Sequence, residues 1–257
     1  MNTLSAFFAP NARHVFRRNL LAWQKYAWSS MAINILEPVV YFLALGFGLG
    51  SYVSLSGHGS LPQFIAPGLL AVTALNAATF DASWGCFERL NFNGVYESMV
   101  TAPVDPLEIA AGEYLWQAWR SMVYGSAFLA VIAALGFVHS AWALLSPLAL
   151  GASGVLFAIP GLWVAMMVKS QEHLFFYFSG VTPLVMVSGV FFPLDRVPHW
   201  LMDLVWLSPL YHAVNIFRVL VSGHGSIAVY GDIAWVLGAI VLLAGGPRSV
   251  LRARLGN

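Results

Sequence analysis

Between Glu37 and Asp81 the chain runs 43 residues without a formal charge, and between Arg120 and Lys169 it runs 48. A bilayer hydrocarbon core of about 30 Å takes about 20 helical residues at 1.5 Å each. Each gap therefore holds two spans and a turn. The first turn is the polar stretch 54–62, and the second lies around His139, Ser140, Ala141 and Trp142. Lipid offers the backbone no hydrogen-bond partner, so only helices and closed barrels cross it. Barrel strands are short segments of alternating hydrophobicity, unlike these unbroken apolar runs. Both pairs are read as helical hairpins.

The 22 charge-free residues between Glu172 and Asp195 give a fifth span, and a last run carries one acid, Asp232, near its start. The reading is all-α and polytopic. Six transmembrane helices are expected at about 33–53, 62–83, 118–138, 143–167, 174–192 and 227–246. Arg13, Arg17, Arg18, Lys25, Arg89, Arg120, Lys169, Arg248, Arg252 and Arg254 then share one side, leaving only Arg196 and Arg218 opposite. The positive-inside rule places both termini in the cytoplasm.

Residues 1–30 read as an amphipathic interfacial helix. At 100° per residue Phe8, Ala12, Val15, Phe16, Leu20 and Trp23 share one arc, with Arg13, Arg17, Arg18, Gln24 and Lys25 on the other. Such a helix lies on the inner leaflet, its cationic face toward anionic headgroups; the alternative is a cytoplasmic helix packed on another subunit. The apolar run that follows exceeds the ~7–15 residues of a cleavable signal core, so the segment is expected to be retained.

Composition narrows the function classes. The chain is 59% hydrophobic and 9% charged, too few charges to coat a soluble globule. One cysteine, Cys86, excludes an intrachain disulfide, and a net charge of +1 gives no reason to expect nucleic acid. The two lysines, Lys25 and Lys169, do not follow glycine, so there is no phosphate-cradling P-loop. Gly46-Phe-Gly-Leu-Gly50 sits inside an apolar span and reads as close helix packing. Hydrolase, zinc-protease and Cys-x-x-Cys motifs are missing, and no catalytic residue, cofactor site or metal site is expected. Ser-Gly-His-Gly-Ser occurs at 56–60 and 222–226, where a polar turn is favoured over a metal site.

Two stretches fall outside the spans. The cytoplasmic loop 85–115 mixes acids with the apolar residues Val95, Tyr96, Met99, Val100, Leu107 and Ile109. Pro103 and Pro106 divide it into a short helix, a turn and a second helix start. An amphipathic helix offering its apolar face to a cytoplasmic groove fits this pattern, and so does a surface-bound loop. The outer segment 191–224, punctuated by Pro193, Pro198 and Pro209, carries Trp200, Leu201, Leu204, Val205 and Leu207 at helical spacing. Its pieces are too short to cross, so they are expected to dip into the outer leaflet and return. Within it Arg218 is expected to snorkel to the headgroups, with Asp195 or Asp203 as the alternative partners. Aromatics at 14% suit an interfacial belt and also allow a glycan path, since flat sugar faces stack on such rings.

The chain resembles the ABC-2 type exporter permeases, in the nodulation protein J branch associated with lipo-oligosaccharide export. The resemblance rests on Arg17-Arg18-Asn19-Leu-Leu-Ala-Trp23, Asn34-Ile-Leu-Glu-Pro-Val-Val-Tyr41, Leu45-Gly-Phe-Gly-Leu-Gly50 and Ala78-Thr-Phe80. It continues through Glu97-Ser-Met99, Ile109-Ala-Ala-Gly-Glu113, Ser188-Gly-Val-Phe-Phe-Pro193 and Pro209-Leu-Tyr-His212 with Arg218, in order over nearly the whole chain.

The resemblance implies a homodimer in the bacterial inner membrane with a separate cytoplasmic ABC ATP-binding subunit, which would hold ATP and Mg. It implies a six-helix domain over 31–247 and a cytoplasmic tail at 248–257. The helix docking into the ATPase maps to Val95, Tyr96, Glu97, Met99, Val100, Pro103, Leu107, Glu108 and Ile109. The re-entrant helices map to Phe192, Pro193, Trp200, Pro209, His212 and Arg218. The expected function is export of a lipo-oligosaccharide or other amphipathic glycolipid. Drug or small-lipid export is a variant; an ion-coupled secondary transporter and a membrane-embedded enzyme are the alternatives from other classes. Ion coupling needs ionisable groups near the midplane, whereas Glu37, Asp81 and Asp232 are expected near span ends.

Overall fold

The computed structural model describes residues 6–53, 59–101, 103–195, 197–223, 227–246 and 250, and among them there are helices and no strands. Helix α1 spans Pro10–Gln24, opened by a proline whose missing N–H costs nothing there. Helix α2, Ala27–Tyr41, contains Pro38; the missing N–H is followed by a widened π-helical stretch, Phe42–Leu49. Helix α3, Leu61–Phe80, starts at a capping pair in which the Ser60 N–H donates to Gln63 Oε1 at 3.1 Å.

Helix α3 does not end near residue 83. A wide turn, Asp81–Gly85, carries it into α4, Cys86–Asn91, making one helix of 31 residues. At 1.5 Å per residue this is roughly 46 Å, well beyond the hydrocarbon thickness. Gly94, at φ 57, reverses the chain into the short helix α5, Val95–Val100. Asp105 then caps α6, Pro106–Ala134, accepting from the Leu107 N–H at 2.8 Å while Glu108 Oε2 accepts from the Asp105 N–H at 2.9 Å. The short helix, turn and second helix start expected from Pro103 and Pro106 are all present.

The second hairpin turns between Gly136 and Ser140, and a single 3₁₀ turn, Ala141–Leu145, leads into α7, Ser146–Met167. Helix α8 is Glu172–Val187. Helices α9, His199–Trp206, and α10, Pro209–Ser222, meet at 86° across a two-residue break. Helix α11, Ala228–Leu243, follows. A helix therefore covers each of the six segments read as spans. Three of them, Ala27–Leu49, Leu61–Asn91 and Ala141–Met167, are long and apolar enough to cross a membrane by themselves, and the bent α9–α10 pair makes four if it is one span.

The centre of the molecule is α3, whose apolar window is 83% buried against 17% for α2. Ile65, Leu69, Leu70, Phe128, Phe157 and Phe217 fill the space between α3, α6, α7 and α10. Small residues allow the closest approaches. A Cβ on Gly112 would stand 2.5 Å from Val15 Cβ and 2.7 Å from the Ala12 carbonyl, so α1 lies directly on α6. Gly112→Ala is expected to lever α1 away, at a cost of about 1–3 kcal/mol. Cysteine crosslinking of α1 to α6, read beside the thermal unfolding midpoint, checks this; unchanged crosslinking and midpoint would contradict it.

That contact takes up part of the apolar arc that the sequence assigns to lipid. Ala12, Val15 and Trp23 are buried against α6, and Trp23 Nε1 donates to the Tyr124 hydroxyl at 2.9 Å. Phe8 and Leu21 remain exposed, as do Arg13, Arg17 and Lys25. An amphipathic stripe reports an apolar neighbour without saying whether it is lipid or protein.

Candidate functional site

Helical spacing places Glu113, Trp116, Gln117 and Arg120 on one face of α6. Opposite stand Asp81, in the wide turn, and Arg89, two helical turns further on. Asp81 Oδ2 accepts from Arg89 Nη2 at 3.2 Å, Trp116 Nε1 at 3.0 Å and Gln117 Nε2 at 2.5 Å. Its Oδ1 lies 3.3 Å from Arg120 Nη1. Arg89 Nη2 also donates to Glu113 Oε2 at 3.0 Å. Two carboxylates thus face two guanidinium groups, and the cluster is close to neutral. Such pairs survive burial only when nearly every lone pair and proton is used.

Tyr96 of α5 joins this network. Its hydroxyl donates to Glu113 Oε1 at 2.9 Å and accepts from Arg89 Nε at 3.3 Å. Burial holds the phenol well above the usual tyrosine range, so it stays protonated and remains a donor. The short loop helix is therefore tied to α4 and α6 through one carboxylate. Asn11 of α1 reaches the same loop, donating to Glu108 Oε2 at 2.9 Å.

The residues expected to form a docking surface divide. Tyr96, Leu107, Glu108 and Ile109 face inward and do not contribute to it; Glu108 is engaged by Asn11 and the Asp105 N–H. Glu97 and Pro103 are exposed, while Val95 and Met99 are half-buried against the core. Val100 ends α5. Phe92, beside this turn, is 66% exposed and was not singled out from sequence.

In the segment 191–224, Phe192 and Trp200 are exposed, Pro193 is half-buried and Pro209 opens α10. His212 is buried, with Nδ1 at 2.6 Å from Asp232 Oδ1, Nε2 at 2.7 Å from the Trp206 carbonyl and its ring stacked on Trp235. Arg218 does not snorkel outward. Its guanidinium sits 4.2 Å from the Phe64 ring centroid and donates to the Gly189 carbonyl. Among the described residues no group of three or more His, Cys, Asp or Glu side chains is placed to hold a metal. The Ser-Gly-His-Gly-Ser histidines at 58 and 224, and the basic tail Arg248, Arg252 and Arg254, lie outside the described residues.

Residues 11–221 match the ABC-2 type transporter family. The chain belongs to that family. As an ABC-2 permease it is 31% identical over 242 residues to Nodulation protein J of Rhizobium leguminosarum bv. trifolii, covering 94% of this chain and 92% of that protein. Nodulation protein J of Neorhizobium galegae is 33% identical over 231 residues, covering 89% and 86%. The Inner membrane transport permease YadH of Escherichia coli is 29% identical over 209 residues, covering 76% and 79%. The family makes this chain a membrane permease that associates with an ABC ATP-binding subunit.

Glu37 lies mid-way along the continuous helix Ala27–Leu49, and Asp81 lies ten residues before the end of Leu61–Asn91. The family assignment, rather than charge position, separates this permease from an ion-coupled transporter. Trp116 and Gln117 were not singled out from sequence, and Asp81 and Glu113 were not read as one cluster with them. Their signal was present in the 3–4 residue spacing 113, 116, 117 and 120, once α6 is known to begin at Pro106.

Proposed function

We propose that this chain is the permease subunit of an ATP-binding cassette exporter. Its cargo is a lipo-oligosaccharide or another amphipathic glycolipid or polysaccharide, moved out across the bacterial inner membrane by a homodimer whose termini face the cytoplasm. Similarity to Nodulation protein J proteins along nearly the whole chain supports this reading, and the cargo is the one that the resemblance to that branch implies. ATP and Mg belong to the partner subunit, and this chain supplies the route.

Glu97, Met99 and Pro103, with Phe92 beside them, meet the ATPase. Closure of the ATPase dimer pushes α5. Because Tyr96 shares Glu113 with Arg89, and Arg89 shares Asp81 with α6, the push reaches α3, α4 and α6 as a body. Nucleotide shifts the equilibrium only by binding the two states differently, and the loop contact is where that difference enters. The exposed apolar face of α2, with Ile33, Leu36 and Val40, supports a second copy there.

Cells lacking this chain are expected to accumulate lipid-linked glycan on the inner face of the membrane, read by surface-selective glycan labelling against total glycolipid. Normal surface labelling together with heightened drug sensitivity would contradict the cargo assignment and favour drug export.

A further inference from the structure

A cavity of about 640 Å³ opens between α2, α3, α6 and α8, beside the ion network and on its other side. Its walls include Asn34, Glu37, Asn76, Phe80, Trp84 and Arg120. Glu37 is exposed and carries the single formal charge of the helix Ala27–Leu49. A carboxylate set against hydrocarbon is costly, so it belongs to a face that meets polar groups.

Arg120 is 6% exposed, and its Nε has no hydrogen-bond partner. Its Nη1 faces Asp81 as an ion pair without forming an aligned hydrogen bond. The guanidinium also packs over the Trp116 and Tyr124 rings, at 5.9 and 5.4 Å from their centroids, so a fixed positive charge stands at the cavity wall. Phe80 and Trp84 lie with ring planes 3° apart and centroids 6.2 Å apart, making one aromatic wall.

We propose that this cavity binds a neutral sugar headgroup, the polar end of an amphiphile; the identity of the ligand rests on the exporter reading. An anionic head meets Glu37 and Glu88, and a cationic head meets Arg120. Sugar hydroxyls meet both signs without carrying charge, donating to Glu37 beside the Arg120 guanidinium. Asn34 and Asn76 supply further donors and acceptors. The apolar face of a pyranose lies on the Phe80–Trp84 wall, and the acyl chain leaves past Phe178 and Val181 toward the exposed side of α8.

The test uses the full chain in lipid nanodiscs with two probes of equal chain length, dodecyl maltoside and dodecylphosphocholine. Binding is read by equilibrium dialysis of labelled probe. Dodecyl maltoside is expected to bind saturably and at least about tenfold more tightly than dodecylphosphocholine, the difference made by one well-placed charge-assisted hydrogen bond. Glu37→Gln and Asn76→Leu are each expected to weaken maltoside binding about tenfold, with unchanged unfolding temperature and unchanged phosphocholine binding. Equal binding of the two headgroups, or full maltoside binding in both variants, would overturn the site. Selective sugar binding without any ATP-driven flux would support the site and overturn the exporter reading. Flux with the ATPase partner and unaltered sugar binding in the variants would overturn the site alone.

Discussion

An Asp81→Ala variant is expected to lose about 3–5 kcal/mol of stability, the cost of leaving buried charge without its partner. Asp81 gathers Arg89, Arg120, Trp116 and Gln117 from two helices. Its removal leaves Arg120 without a carboxylate and Arg89 with Glu113 alone. Water does not reach these groups easily, since the Arg89 and Arg120 side chains are only 11% and 7% exposed. The measurement is the thermal unfolding midpoint in a fixed detergent. A double variant, Asp81→Asn with Arg120→Gln, removes one charge of each sign. It is expected to recover a substantial part of the loss, because the remaining Arg89–Glu113 pair is neutral. A double variant no more stable than Asp81→Ala would contradict the charge-balance account, and a single variant as stable as the parent would contradict the network itself.

The second large effect concerns transmission. Glu97→Lys, or Met99→Asp, is expected to lower coupled transport about tenfold or more while the partner's ATP hydrolysis continues, since reversing an interface charge costs several kcal/mol. Glu97 is exposed on α5, so its reversal leaves the fold intact, and the unfolding midpoint should match the parent. Met99 is half-buried, and Met99→Leu is the control for packing. Transport and ATP hydrolysis measured together in proteoliposomes give the ratio. Unchanged coupling in Glu97→Lys and Met99→Asp would exclude the docking role of this loop.

How much was legible follows from the physics of each signal. The uncharged gaps marked helices because lipid penalises charge and unpaired backbone wherever they occur. The run Asp105-Pro106-Leu107-Glu108 specified its helix start locally, through two hydrogen bonds within four residues. The extension of α3 to Asn91 was not legible, because a widened turn leaves no residue that stops a helix. Tyr96 and Ile109 had the apolar character of a docking face, yet that character equally suits packing, and here they pack inward. Arg218 meets Phe64, 154 residues away, a pairing that only the fold creates. The same holds for Arg89 and Glu113, whose loop lies between α4 and α6.

The most direct test of this chain as a passive route driven by a partner is flux in proteoliposomes holding the purified permease, with and without its ATP-binding subunit. A fluorescent lipo-oligosaccharide should cross only when both proteins and hydrolysable ATP are present, and the permease alone should neither hydrolyse nucleotide nor move cargo under a proton or sodium gradient. Gradient-driven flux through the permease alone, with no nucleotide and no partner, would contradict the account.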